Sequence, residues 1–196
     1  EEINMKRKGF TLIELSIVLI IIGLIIGGVM KGKDLISSAE QKNIYSSWIK
    51  AWQVAANSYQ DKTGSILGDG TANGGTTATE DGRVETRSLS TTTTIQTALT
   101  TVGLDVPSTG GAQSLKGKYT TGAAVMSFIY GAASNGSKNR LSITNVPVDI
   151  AIAFDKMTDG KLDSGDGAFR LSGNVPAGTA WADASAGTSV TVTLEL

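Results

Sequence analysis

The chain has no cysteine and no histidine among its 196 residues. Disulfides, thiol nucleophiles, imidazole general bases and the commonest zinc ligands are removed together. An excess charge of either sign is missing too. Lys and Arg total 17 against 18 Asp and Glu, and a net charge of −1 gives no electrostatic footprint for nucleic acid or an anionic surface. Proline occurs three times and aromatic residues make up 6% of the chain, against 24 glycines and many threonines. That composition describes short strands and loops with a modest apolar payload per residue. The length suits one globular domain with an appended segment.

The appended segment is at the start. Lys6-Arg7-Lys8 form a basic cluster, and from Leu15 to Met30 no charged residue occurs. At about 1.5 Å per residue, a helix from Phe10 to Met30 matches a hydrocarbon core roughly 30 Å thick. The basic cluster precedes the span, so the positive-inside tendency keeps the N-terminus cytoplasmic and places the remainder on the far side. An ordinary secretory signal would be cut after the apolar run, where Gly27-Gly28 is the nearest small-residue candidate, yet the helical pattern continues past it. A carboxylate, Glu14, also sits inside the apolar segment, and such a group normally has a partner.

Gly9-Phe10-Thr11-Leu12-Ile13-Glu14 resembles the type IV pilin and pseudopilin family, whose leaders end in Gly followed by Phe-Thr-Leu-Ile-Glu. The resemblance implies cleavage between Gly9 and Phe10 by a membrane prepilin peptidase, N-methylation of Phe10, and assembly through Glu14 and Thr11. In this reading Glu14 pairs with the new amine of a neighbouring copy, because a wrong register leaves both charges unpaired in low dielectric. The alternative is a plain signal anchor with a Glu near the interface. Many major pilins carry a proline within this helix, where the chain has Lys31 and Gly32, so any local unwinding would rely on Gly23, Gly27 and Gly28.

Beyond the span, Ile44, Trp48, Trp52, Ala55, Ala56 and Tyr59 recur at three- and four-residue spacing, as on one face of a helix packed against a domain. Gly64 is the expected C-terminal cap and Gly68 to Thr77 read as loop. A helix over Leu89 to Val102 is expected, ended by Gly103. Strands are expected at Tyr119–Thr121, Ala123–Tyr130, Arg140–Thr144 and Val190–Leu196, with a helix over Pro147–Thr158 capped by Gly160.

The expected fold is therefore α+β: a pilin-like lollipop whose long N-terminal helix packs its second half on an antiparallel sheet. Its parts are a leader at 1–9, a transmembrane or filament-core helix at 10–30, an amphipathic half at 31–63 and a head at 64–196.

Asp155, Asp159, Asp163 and Asp166 crowd the segment after the last expected helix, with Ser164 and several glycines. They offer hard oxygen ligands, so calcium is the one cofactor expected, although the spacing is not that of an EF-hand. The loop broadly resembles acidic loops of pilin-like heads, some of which bind calcium. The competing reading is a turn in which Asp and Gly cap the helix and accept backbone hydrogen bonds. No catalytic residues are assigned, for no substrate cleft is legible.

The function expected is a structural subunit of a type IV pilus-like filament. Its implied partners are further copies, other pilins, the prepilin peptidase, an inner-membrane assembly platform and membrane lipid before assembly. A minor pseudopilin of type II secretion, a DNA-uptake subunit and a membrane-anchored binding module that never polymerises are the alternatives. The expected location is the inner membrane, then a periplasmic or extracellular filament.

Overall fold

The computed structural model describes residues 9–91, 93–133, 136–173 and 175–196. The expected leader lies outside the described residues except for Gly9. Two compact units divide the chain, Glu1–Lys42 and Asn43–Leu196.

The first unit carries most of α1 (Leu12–Ile44), in which no residue is buried. Backbone helix continues through a π-turn at Tyr45–Lys50 into α2 (Ala51–Thr63). Gly64 ends α2 in the left-handed conformation, φ 76°, with its N–H bonded to the Gln60 carbonyl. Glycine suits this place because a Cβ is penalised at positive φ.

In the second unit Trp48, Trp52, Ala55, Ala56 and Tyr59 of the expected stripe are buried, Ile44 is half-buried, and Tyr45 and Ile49, outside that spacing, are buried beside them. The indoles of Trp48 and Trp52 donate to one acceptor, the Gly110 carbonyl, at 3.0 and 2.7 Å. Buried indoles need such a partner, and here one carbonyl serves both.

The sheet is antiparallel. It contains β1 (Arg87–Ser88), β2 (Ala112–Lys116), β3 (Thr121–Ala133), β4 (Gly136–Pro147), β5 (Phe169–Leu171) and β6 (Ser189–Glu195), ordered β1-β3-β4-β6-β5 with β2 also on β3. Two helices complete the unit, α3 (Thr93–Thr101) between β1 and β2 and α4 (Val148–Thr158) between β4 and β5. The register aligns Phe128 with Leu141, Leu141 with Leu194 and Leu194 with Phe169, an apolar row across four strands. All four are fully buried. At about 1.5–3 kcal/mol for each such side chain, this row and the helix stripe dominate the stability of the unit.

Several boundaries differ from expectation. Tyr119 lies in a bend with Lys118, Thr120 is irregular, and Thr121 opens β3 directly. The helix expected from Leu89 begins at Thr93, consistent with the low helix propensity of the threonine run. Strand β6 has a buried polar residue, Thr193, besides Val192 and Leu194, because it lies between β4 and β5.

Candidate functional site

Two places bear on function. In the second unit, α4 ends at Thr158 and the chain turns through the acidic segment to β5. Asp155, Asp159, Asp163 and Asp166 line one cavity of about 220 Å³ with Lys161 and Gly167. The structure thus brings together the four acids singled out in the sequence, but most of their oxygens are engaged. Asp159 accepts the backbone N–H groups of Ala168 and Phe169 at 3.1 and 3.0 Å. Asp163 accepts from Gly165 and Gly178 at 2.9 and 2.7 Å, and the Gly165 N–H, foremost, holds its carboxyl below the ordinary range. Among the described residues, no three carboxylates or other common ligating side chains stand close enough to form a preformed metal cage.

Asp155 is different. It is 1% exposed on the inner side of α4. Its Oδ2 accepts the Trp181 indole N–H at 2.8 Å and the Asp163 N–H at 3.1 Å, whereas its Oδ1 is buried and accepts no hydrogen bond. Burial pushes this carboxyl above the usual range, and the two donors pull it back. The acids also fasten the segment that follows β5. Gly178 is held by Asp163, Thr179 by both the N–H and the hydroxyl of Ser164, and Trp181 by Asp155. A Cβ on Gly165 would stand 1.9 Å from the Pro176 carbonyl oxygen, so this close approach needs glycine. Trp181 was not visible as a site residue in the sequence, for it lies in an irregular Ala, Asp and Thr stretch.

In the first unit, Gly9 and Phe10 precede the helix and are exposed, Phe10 by 90%. Thr11 is the residue before the first helical turn. Its backbone N–H and hydroxyl both donate to Glu14 Oε2 at 2.8 Å, and its own Oγ1 accepts the Glu14 N–H at 3.3 Å. This is a capping box, with the N-cap and the third helical residue satisfying each other's backbone donors. The helix therefore starts at Leu12, two residues past Phe10. Among the described residues it is the helix long and apolar enough to cross a membrane.

The chain carries a prokaryotic N-terminal methylation motif. The match covers residues 4–30 and is the type IV pilin and pseudopilin signal. No curated protein and no solved structure matches the chain. The methylation motif spans Gly9, Phe10, Thr11 and Glu14, so the capping box lies wholly inside it. The geometry adds one fact to the motif: Glu14 is not a bare carboxylate, since its own chain supplies two donors.

Proposed function

We propose that the chain is a structural subunit of a type IV pilus-like filament, cut after Gly9 by a prepilin peptidase, methylated on Phe10 and assembled through its apolar helix. The observation that carries this reading is a carboxylate, Glu14, within an unburied apolar helix that carries the methylation motif. An ionised group in such a segment is estimated at up to roughly 3 kcal/mol at mid-bilayer and less near the interface, so the Glu14 position has a use. In a bundle of such helices the new amine of Phe10 on one copy would neutralise Glu14 on another. Lateral contacts of Leu, Ile and Val would do the rest, with Gly23, Gly27 and Gly28 permitting close approach. Lipid would cover the same face before assembly, and no catalytic role is assigned.

Glu14→Ala separates this reading from that of an anchored binding module. The variant should still reach the membrane, while filaments seen by electron microscopy should be lost or fall at least tenfold. Normal filament yield with the variant would overturn the registration role of Glu14. A chain that never forms filaments in its native cell, with Glu14 present, would favour the binding module.

A further inference from the structure

A cavity of about 380 Å³, within the size range of small-ligand sites, is lined by α2, the loop after it and the β3–β4 hairpin. Asn57 and Gln60 belong to its helix wall, three residues apart and so on one face of α2. Tyr130 and Ser137 come from the two strands of the hairpin, and Ile66 and Leu67 supply apolar surface. Contacts within the protein fix the hairpin wall. Asn139 accepts the Val84 N–H at 2.9 Å and donates to the Gly82 carbonyl at 3.0 Å, while the Arg83 guanidinium lies over the Tyr130 ring at 4.8 Å.

The polar groups left over decide what the cavity suits. The amides of Asn57 and Gln60 and the hydroxyls of Tyr130 and Ser137 form no side-chain hydrogen bond among the described residues. Each amide offers two donors and an acceptor oxygen, and each hydroxyl both gives and accepts. Lys138 is the one charged side chain in the lining among the described residues, and Glu195 already holds it at 2.9 Å, so an anion finds no free counter-charge. A purely apolar ligand would strip water from four polar groups and return no hydrogen bond. A neutral molecule with donors and acceptors around its rim and an apolar C–H face answers both conditions.

We propose that this cavity binds a neutral saccharide, with Asn57 and Gln60 taking its hydroxyls and Ile66, Leu67 and Tyr130 covering its C–H face. Sugar hydroxyls give and accept at once, as do the side-chain amides and hydroxyls that meet them. Asn57, Gln60 and Ser137 are exposed, so the free site is hydrated and a single ring exchanges bonds to water for bonds to protein. The dissociation constant for one sugar ring should then be on the order of 10⁻³ M. Every lining residue belongs to the second unit, so the site owes nothing to the N-terminal helix.

The test is a titration of the isotope-labelled full chain in a zwitterionic detergent, because a sugar-based detergent would compete. Methyl glucoside, methyl galactoside and methyl mannoside are added to millimolar concentrations, with glucuronate as the anionic counterpart. At least one neutral glycoside should shift the side-chain amide signals of Asn57 and Gln60 in heteronuclear NMR spectra, signals assigned by their loss in Asn57→Ala and Gln60→Ala. Affinity is read from the backbone amides of 137–139, which every variant retains. Asn57→Ala and Gln60→Ala should each weaken binding at least fivefold with Tm unchanged, since both positions are exposed. Tyr130→Ala should weaken it at least tenfold, and Lys138→Gln should leave it within twofold. No shift with any of the three neutral glycosides, or undiminished affinity in Asn57→Ala and Gln60→Ala, would overturn the proposal. So would tighter binding of glucuronate, which would make Lys138 the recognition group and an anion the occupant. Filament assembly plays no part in these measurements, so their failure would leave the role of Glu14 as it stands.

Discussion

Glu85 is a carboxylate whose surroundings can be followed bond by bond. It accepts the backbone N–H and the hydroxyl of both Thr76 and Thr77, with Thr77 N at 2.8 Å. These donors, the Thr76 hydroxyl foremost, hold its carboxyl at about 2, against an ordinary value of 4.5. A depressed carboxylate stabilises the fold above its unfolded value and loses that contribution as pH falls toward the folded one. Glu85→Gln should therefore melt below the wild type at neutral pH. The difference should narrow as pH falls from 4.5 toward about 2, as followed by thermal melting at several pH values. A gap independent of pH would show that the carboxylate charge is not what ties Thr76 and Thr77. The sequence marks this stretch only as loop, because a charge-assisted bond across eight or nine residues leaves no periodic trace. Asp155 is similar: its place in an acidic run is legible, but its tie to Trp181, 26 residues later, depends on how β5 and β6 bring the chain back.

Among the elements, those with a repeating apolar face were legible and those stabilised by pairing alone were not. The stripe from Trp48 to Tyr59, the turn-spaced Ile150 and Phe154 of α4 and the alternation of β6 all follow from periodicity. Strands β1 and β5 are two and three residues long, and β2 buries only Leu115, so none has a pattern of its own. The join between the loop before β2 and the helix through the π-turn and α2 offers a sharper test. Trp48 and Trp52 both donate to the Gly110 carbonyl, so either indole alone can still satisfy it. Replacing both by Phe should thus cost more than the sum of the two single changes, by about 1 kcal/mol, in a double-mutant cycle by chemical denaturation. Additive losses would mean that the shared carbonyl has another donor.

For the whole molecule, the buried apolar side chains begin at Tyr45 and lie in the unit that starts at Asn43. A chain beginning at Asn43 should need no detergent, remain monomeric by light scattering and melt at the temperature of the detergent-solubilised parent. Aggregation of the shortened chain, or a large fall in its melting temperature, would show that α1 contributes to the stability of the sheet unit. The methylation motif and the apolar span made the first unit legible from its opening residues, whereas the second had to be assembled from pairings far apart in the chain.

The strand order has a consequence for the time at which the protein can fold. β6 follows β4 and β5 in the chain, yet it lies between them and hydrogen-bonds to both. Until Ser189–Glu195 has emerged, β4 has an open edge and β5 has no neighbour. The sheet therefore cannot close until β6 has joined its two neighbours, and the pairing that completes it comes late in folding.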